Sequence, residues 1–498
     1  MSSILDSLKE IQGAGKAGKT PSAGDYVLHE CAILHGDGDQ YPFGNLVSNI
    51  SVFENIQSSG ITGHMDVVDH MNLLQAGPLN GGELLALKFG TAGADEAGLD
   101  EFMVDFTENP LYIHSIERAA FNTASIITYR VHFCSPELVK NKRVRLSQAF
   151  EGTIGDIVEN IMLNNIGTTK EIYIEPTLGL KHYVAPMMQP LNFIRDIASS
   201  AQALEKKGVS WTPSVNSKSL STEQVFKGFR NDYFFYENCD GYNFKPISTP
   251  EIDGLEFTFG LADTTTVEGG IKGYAGQMLR TKSHSISNTA NQTNAISAGT
   301  WSGKHIRHNG VTKKYDTYIS NYQKQLLHKR YSHMSDTPTM GTLRTISEWP
   351  EGHVRMSSAS AQVDSNINRD TGRVDYPWDI TPASASLIRT LQMAHLFGNH
   401  RIEMTLPGLS GLSVGELAFA DLPELGLGAG QPGLEGAEQL WENRLDNVWL
   451  VTKVAHRITT GGENPSYLTK VELVNTMSST AQVLPTYDAL GATAGTWT

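Results

Sequence analysis

Basic side chains are scarce in this sequence. It holds 39 Lys and Arg against 53 Asp and Glu among 498 residues, which gives a formal net charge of −14. A surface this acidic argues against a protein that grips the phosphates of a nucleic acid, because such a grip needs clustered Lys and Arg. An acidic surface is compatible with a channel wall along which a nucleic acid moves without binding, since like charges repel. Solubility is the simpler explanation of the same charge.

Cysteine and long apolar runs are also lacking. Cys31, Cys134 and Cys239 are odd in number and share no short spacing, so we expect neither a disulfide framework nor a zinc motif. Folding in the cytoplasm fits this composition. No run of about 18 apolar residues occurs, so no membrane span is expected. The polar segment Met1 to Thr20 predicts no signal peptide.

We predict no catalytic reaction from any segment of the sequence. The sequence predicts no nucleophile elbow and no phosphate loop, and Gly-rich runs such as 77–82 lack the strand-then-helix setting and the Lys of such a loop. His305 and His308 lie beside Lys304 and Arg307. As a metal pair they would need further ligands, so a solvated basic loop is the better interpretation.

Other candidate residues have equally simple explanations. The weaker pairs are His64 with His70, His328 with His333 at a helix end, and Asp66 with Asp69 on a solvated face of a strand. Trp378, Trp441 and Trp449 are the aromatic residues considered for stacking on sugars. Core or subunit-interface packing is the commoner role for tryptophan. The prediction is therefore no catalytic residue, no cofactor-binding residue and no metal ligand.

Hydrophobic periodicity divides the chain into strand-rich and helical parts. Between about 25 and 140 the period is two; Ile127, Tyr129, Val131 and Phe133 alternate with Thr128, Arg130 and His132. Alternation of this kind indicates half-buried strands, and Gly/Asn/Pro turns between several of them suggest an antiparallel barrel or sandwich.

The period changes to that of a helix after residue 150. Thr153 and Asp156 form a capping-box pattern before an apolar helix, and Gly167 offers a stop. Pro190 is a good first residue for a second helix. A short strand is expected at 171–175 between the helices, and the aromatic run that begins at Tyr233 predicts a hairpin.

The last third returns to alternation after a weaker stretch. Strands are expected at 255–259 and 271–274, a loop or polar helix at 281–300, an amphipathic helix at 315–331 and a last helix at 382–397. Further strands are expected at 402–406 and 415–421, and a long antiparallel pair at 448–458 and 467–474. The predicted fold is mainly β with an α+β insert, containing two antiparallel, tube-like β-barrel domains.

The boundaries that follow are an N-terminal arm at 1–24, a first β-barrel tube domain at 25–140, an α+β insert at 141–250, a variable region with strands and polar loops at 251–376, a second β-barrel tube domain at 377–480 and a C-terminal tail at 481–498.

Four stretches in this order carry a resemblance to a known family. They are LVSNISVFENIQSSGITGHMDVVDHMNLLQAGPLNGGELLAL from Leu46; VHFCSPELVKNKRVRLSQAFEGTIGDIVENIM; PLNFIRDIASSA with YFFYENCDGYNF; and RIEMTLPGLSGLSVGELAFADLP with LDNVWLVTKVAHRIT and YLTKVELV. Together, over about 45–475, they resemble the baseplate hub proteins of contractile-tailed phages, a family related to late control protein D and to the hub part of type VI secretion spike proteins.

This resemblance implies a structural role in a virion tail. It implies a homotrimer whose six barrels form a pseudo-sixfold collar between a hexameric tail tube and a trimeric central spike. Tape-measure and baseplate wedge proteins are further expected partners. DNA would pass through a weakly or negatively charged channel without specific binding, with no cofactor and no membrane contact.

Two other functions stay open at this point. One is a tail-associated cell-wall hydrolase, which would need a deep cleft with paired carboxylates or a Cys/His pair. The other is a receptor- or glycan-binding β protein, which would present exposed aromatic residues on loops.

Overall fold

The computed structural model describes residues 10–11, 22–36, 39–76, 79–123, 126–177, 180–201, 203–204, 229–230, 233–246, 257–261, 277–287, 297, 299, 302–309, 313–321, 353–359, 401–421, 447–461 and 465–475. This part of the chain is mainly β, with mostly antiparallel strand pairing and a few helices. The predicted fold class is confirmed in this respect.

The strands follow one another along the whole described chain. From the N-terminus they are β1 Tyr26–Leu34, β2 Gln40–Pro42, β3 Val47–Asn55, β4 Thr62–Asp69, β5 Leu84–Thr91, β6 Met103–Asp105, β7 Leu111–Thr123 and β8 Ile126–Cys134. Next come β9 Ala149–Gly152, β10 Ile172–Ile174, β11 Lys181–Val184, β12 Ala203–Leu204, β13 Phe229–Arg230, β14 Tyr233–Asn238 and β15 Gly241–Pro246. The last are β16 Phe257–Leu261, β17 Arg280–Thr281, β18 Ser283–Ser287, β19 Ser302–Asn309, β20 Lys314–Asn321, β21 Val354–Ala359, β22 Arg401–Pro407, β23 Leu417–Asp421, β24 Asn447–Thr459 and β25 Ser466–Asn475.

The helices are short and concentrated before residue 200. They are α1 Leu73–Ala76, α2 Ala94–Ala97, α3 Pro136–Arg143, α4 Ile154–Asn160 and α5 Pro190–Ala198, with 3₁₀ turns at Gly44–Leu46 and Asp100–Phe102 and a π-helical turn at Ile161–Ile166. Within the described ranges, none of these helices has the length and apolar character needed to cross a membrane.

Fifteen of the described strands form one sheet. Its main path runs β17-β16-β23-β24-β3-β4-β8-β7-β5-β1-β2, with β25, β22 and β18 continuing from β24 and β6 beside β5. Strands β24 and β3 pair antiparallel, with Arg457 opposite Ser51. This pairing joins the two strand-rich segments of the sequence in a single sheet. No closed ring of strands is formed by the described residues, so the two separate barrels stay a prediction.

Two apolar clusters lie against this sheet. One contains Leu85, Leu87 and Phe89 of β5 together with Val131 and Phe133 of β8, all fully buried, as the alternation predicts. The other is built largely from β22, β24, β25 and the segment 409–414, with the fully buried Trp449 as its largest side chain. The prediction that Trp449 packs in a core is therefore confirmed.

A third cluster belongs to the helical segment. The Thr153 hydroxyl accepts a hydrogen bond from the Asp156 backbone N–H, and the Asp156 carboxylate accepts one from the Thr153 backbone N–H. The predicted capping box is therefore present at the start of α4. Gly167 ends the following π-helical turn with a left-handed φ of 66°. Pro190 is the first residue of α5, as predicted. The apolar face of α5 packs on the β14–β15 hairpin.

Strand β10 joins that hairpin in parallel, so the helical segment combines three strands with its helices. The predicted short strand at 171–175 and the predicted hairpin are both confirmed. So is the long antiparallel pair of β24 and β25.

Four predictions between 251 and 400 differ from the structure or lie outside the described residues. Residues Ser283–Ser287, expected in a loop or polar helix, form β18 because their backbone pairs with β22. Lys314–Asn321, expected to begin a helix, forms β20, which pairs with β19. The strand predicted at 271–274 and the helix predicted at 382–397 lie outside the described residues.

Candidate functional site

One face of the large sheet is polar across both strand-rich segments. On β4, Gly63, Met65 and Val67 are buried, whereas His64 and Asp66 between them are half-buried. Strand pairing carries this orientation across the sheet, because residues that face each other in register lie on the same side. His64 lies opposite His132 on β8 and opposite Ser51 on β3.

We call this side of β22, β25, β24, β3, β4, β8 and β7 the polar face. Its charged members are Arg401, Glu403, Lys470, Glu472, Lys453, Arg457, Asp66, Arg130 and Glu117. Five are basic and four are acidic, so this surface is nearly charge-balanced although the whole chain carries −14. The acidity of the protein is therefore concentrated elsewhere.

Two cross-strand ion pairs organise the polar face. Arg130 binds Asp66 through two hydrogen bonds, Nε to Oδ1 at 2.6 Å and Nη2 to Oδ2 at 2.9 Å. The hydrogen bond from Arg130 is the main reason that the pKa of Asp66 lies below its usual value. Lys453 on β24 pairs with Glu472 on β25 at 2.8 Å. Each pair links two neighbouring strands through charged side chains.

Three histidines stand in a row beside the Asp66–Arg130 pair. The ring centroids of His64 and His132 are 5.9 Å apart, and those of His132 and His114 are 6.1 Å apart. The pKa of His64 is lowered, first by burial and then by the charge of Arg130. The pKa of His114 is lowered by burial and by His132. The lowered pKa values favour the neutral forms of His64 and His114 near pH 7.

The polar face is concave where the two strand segments meet. A groove of about 390 Å³ lies over the junction of β3, β24 and β25, with Phe53, Thr62, Glu403, Lys470 and Glu472 among its lining residues. These side chains come from both ends of the sequence. The groove is therefore a consequence of the β3–β24 pairing.

A buried ion network fixes the helical segment to the sheet. Lys170 Nζ lies 3.0 Å from Glu137 Oε2 on α3 and 2.5 Å from Glu237 Oε1 on β14. Glu237 Oε2 also accepts the backbone N–H of Ile61, just before β4, at 3.0 Å. Burial acts to raise the pKa of Glu137, but Lys170 outweighs it and the pKa is lowered.

The structure agrees with the predicted surroundings of some candidate residues and differs for others. Asp66 lies half-buried in its ion pair, but Asp69 is fully buried and accepts from the Met71 and Leu74 backbone and from the Tyr129 hydroxyl. The prediction of a solvated face is wrong for Asp69, because this end of β4 turns under α1. His305 and His308 lie on β19 and not in a loop.

Further candidates lie in other places. His64 joins the histidine row rather than any pair with His70. Trp378, Trp441, His328 and His333 lie outside the described residues. Sequence periodicity gave no signal for His114 and His132 as partners of His64, because their contact depends on strand order.

Two letter patterns associated with enzymes do occur, contrary to the sequence prediction. Gly13–Thr20 fits Gly-x-x-x-x-Gly-Lys-Thr but lies outside the described residues, and residues 10–11 before it are helical, where a phosphate loop requires a strand. Gly411–Gly415 fits Gly-x-Ser-x-Gly. Its Ser413 is buried between two strands, β22 and β23, whereas a nucleophile elbow turns from a strand into a helix.

Three solved structures are similar to this chain over most of its length. A 43 kDa tail protein of prophage MuSo2 from Shewanella oneidensis is 10% identical, with 91% of this chain and 98% of that chain covered and a TM-score of 0.49. A tail protein from Neisseria meningitidis MC58 is 9% identical, with 90% and 96% covered and a TM-score of 0.49. The E. coli c3393 protein, a component of the type VI secretion system, is 8% identical, with 91% and 76% covered and a TM-score of 0.39.

Structures of the Francisella PdpA–VgrG complex are also similar to this chain, at 9–10% identity. No protein-family model matches the sequence, and no curated protein matches it. These structural neighbours are thus a prophage tail protein, a second tail protein, a type VI secretion component and a complex that contains VgrG.

Proposed function

We propose that this chain is the hub subunit of a contractile-tail baseplate. In this role three copies form a collar that joins a hexameric tail tube to a trimeric central spike and leaves a channel through which DNA passes. The observation that carries the proposal is the polar face: one nearly charge-balanced surface that runs through both strand-rich segments and contains a groove where they meet.

The charge of the polar face suits a channel for DNA. Duplex DNA carries one negative charge per about 1.7 Å of its axis, so a wall with clustered basic residues would bind it and slow its passage. A strongly acidic wall would raise a barrier to its entry. On the polar face, pairs such as Asp66–Arg130 and Lys453–Glu472 neutralise each other at short range.

The connectivity of the sheet suits a trimeric collar. Each chain contributes two strand-rich segments to one sheet, so three chains supply six such segments around a threefold axis. Among the described residues, the main path of the sheet ends at β17 and at β2, and the branch through β25 and β22 ends at β18. Edge strands expose unpaired backbone groups, and covering them by a neighbouring subunit protects a β-rich protein from aggregation.

The remaining parts of the proposal follow from this placement. The hub belongs to the virion tail, with the spike below, the tube above, and tape-measure and wedge proteins as neighbours. Its role is assembly and not catalysis.

Electron cryomicroscopy of particles that contain this chain tests the proposal. The expected result is threefold density for the chain between tube and spike, with the polar face lining the central channel. Density outside the tail axis, or a channel lined by another face of the sheet, would overturn it. Native mass spectrometry of the chain co-expressed with its spike should give three copies of each.

The same purified protein separates the alternatives. A hydrolase would release soluble fragments from peptidoglycan, and a glycan-binding protein would be retained on immobilised host polysaccharide. The hub predicts neither activity. A monomer that degrades peptidoglycan would replace the proposal with the enzyme.

A further inference from the structure

Three side chains of metal-ligand type meet beneath the β3–β24 pair. They are Glu54 on β3, Cys239 in the turn between β14 and β15, and His456 on β24, and one ligand atom from each lies within 4.8 Å of the others. Glu54 and His456 are fully buried and Cys239 is half-buried. Cys239 Sγ donates a hydrogen bond of 2.7 Å to Glu54 Oε1.

One nitrogen in this cluster has no partner. His456 Nδ1 lies 2.7 Å from the Tyr467 hydroxyl, whereas the buried Nε2 finds no hydrogen-bond partner among the described residues. An unpaired polar atom in the interior is unfavourable, because it has lost its hydrogen bonds to water without gaining others. A ring held at one nitrogen by a hydrogen bond, with the other nitrogen free, is the usual arrangement of a metal-bound histidine.

The remaining ligand atoms are held in a comparable way. Glu54 Oε2 accepts the Val414 backbone N–H at 3.1 Å, which leaves Oε1 directed at the cysteine. The Val414 backbone N–H and the Tyr467 hydroxyl therefore orient two ligands through atoms that would not bind the ion. With Nε2 on the ion, His456 Nδ1 carries the ring proton and donates a hydrogen bond to the Tyr467 oxygen. Such outer contacts are typical of protein metal centres.

The chemistry of the three side chains suits a divalent cation. Glu54 and Cys239 can each supply a negatively charged ligand atom, and His456 can supply Nε2, which has no hydrogen-bond partner among the described residues. One divalent ion would balance one carboxylate and one thiolate, with the loss of the thiol proton and of any carboxyl proton.

We propose that Glu54, Cys239 and His456 form a binding site for a divalent transition-metal ion of the zinc class, with Tyr467 as the residue that positions His456. A thiolate, an imidazole and a carboxylate together are a ligand set that Zn²⁺ accepts. Ligand atoms around a tetrahedral Zn²⁺ lie roughly 3.5 Å apart, given bonds of about 2.0–2.3 Å. The distance from Cys239 Sγ to Glu54 Oε1, now 2.7 Å, would therefore increase by less than about 1 Å on metal binding.

The site would join three parts of the fold. Glu54 and His456 come from the two strand-rich segments, and Cys239 comes from the hairpin of the helical segment. The ion would thus hold the hairpin turn against the seam of the sheet. This role is independent of the hub function.

The test uses the purified full chain, stripped with a chelator and titrated with Co²⁺ and then Zn²⁺. We expect one equivalent of Co²⁺ to bind with a thiolate-to-cobalt charge-transfer band, and Zn²⁺ to displace it. A wild-type protein that is folded by circular dichroism but gives no such band would overturn the proposal, whatever the variants do.

Matched variants locate the ion. Cys239→Ala should abolish the charge-transfer band, whereas Cys134→Ala, which removes another buried free thiol, should keep it. Tyr467→Phe keeps all three ligands and should weaken Co²⁺ binding about 10- to 100-fold. Persistence of the band in folded Cys239→Ala, or its loss in Cys134→Ala, would place the ion elsewhere and contradict the site.

Discussion

Asp66 and Arg130 form a bidentate pair across β4 and β8, with both hydrogen bonds below 3.0 Å. The two residues lie directly opposite each other in the strand register, so the pair also reports the alignment of these strands. Its side chains are about one quarter to one third exposed. The pair therefore combines good geometry with partial solvent screening.

We expect a double-mutant cycle on this pair to give a coupling of about 1 kcal/mol, the upper range for partly exposed ion pairs. The variants are Asp66→Asn, Arg130→Gln and their combination, measured by urea unfolding. The folded pKa of Asp66 is lowered, so the coupling should be complete above about pH 5 and decline as the pH falls through the folded pKa. A coupling unchanged at pH 3 would contradict this.

The buried network of Lys170 predicts a larger effect. Lys170→Met leaves Glu137 and Glu237 buried without their shared cation, so the free energy of unfolding should fall by about 3–5 kcal/mol. The control is Lys140→Met, which removes an exposed lysine that donates to the Gly167 carbonyl. It should cost less than about 1 kcal/mol. Equal losses in the two variants would show that the network contributes no more than a surface contact.

The histidine row predicts acid sensitivity. Because the pKa values of His64 and His114 are lowered in the folded protein, the unfolded chain takes up more protons below about pH 6.5. The melting temperature of the wild type should therefore fall from pH 7.5 to pH 5. A His64→Gln/His114→Gln variant should show a smaller fall, because it lacks both lowered imidazole pKa values.

Exposed His182 on β11 provides the control for this experiment. His182→Gln removes an imidazole far along the chain from the row and should leave the pH dependence of the wild type in place. An unchanged pH slope in the double variant would remove the row as a source of acid sensitivity.

Local patterns predicted the elements that have strong periodicity. The buried residues of β8 and the capping box of α4 are visible in the sequence because each depends on neighbours within a few positions. Residues Ser283–Ser287 gave no such signal, since Ser, His, Ser and Ser around one Ile resemble a loop. Their strand exists because β22 offers a paired edge.

The candidate sites depend on contacts between distant segments. Arg457 lies opposite Ser51 only because β24 pairs with β3, and alternation within either strand says nothing about that choice. In the same way Glu54, Cys239 and His456 share no motif spacing, so cysteine counting predicted no zinc site. The sequence therefore indicated which residues share one face of a strand, but not which residues of distant strands lie close together.

Close packing between neighbouring strands predicts intolerance at Gly63. A Cβ at this position would lie 2.5 Å from the Ser51 carbonyl oxygen and would overlap the Phe133 ring. The carbonyl belongs to a paired strand and cannot move cheaply, so Gly63→Ala should lower the free energy of unfolding by about 1–3 kcal/mol. Gly36→Ala, with nothing within 4 Å of the new carbon, should have a much smaller effect. Equal denaturation midpoints would refute the close contact.

Charge reversal on the polar face tests its place in the channel. Glu117→Lys with Glu403→Lys changes the face by +4 charges per chain, and both side chains are exposed. If the face lines the channel, assembled particles should release DNA more slowly, because added lysines bind phosphates. Raising the salt concentration should restore much of the rate, since this attraction is screened.

The matched control puts the same charge change on the helical segment. Glu151→Lys with Glu159→Lys alters two exposed residues there and should leave the release rate unchanged. Release is measured by the fluorescence of a DNA-binding dye after receptor addition, with particle integrity checked by negative-stain microscopy. Equal release from both double variants would remove the polar face from the DNA path. Particles that lose their baseplates only with the polar-face variant would make it a subunit interface instead.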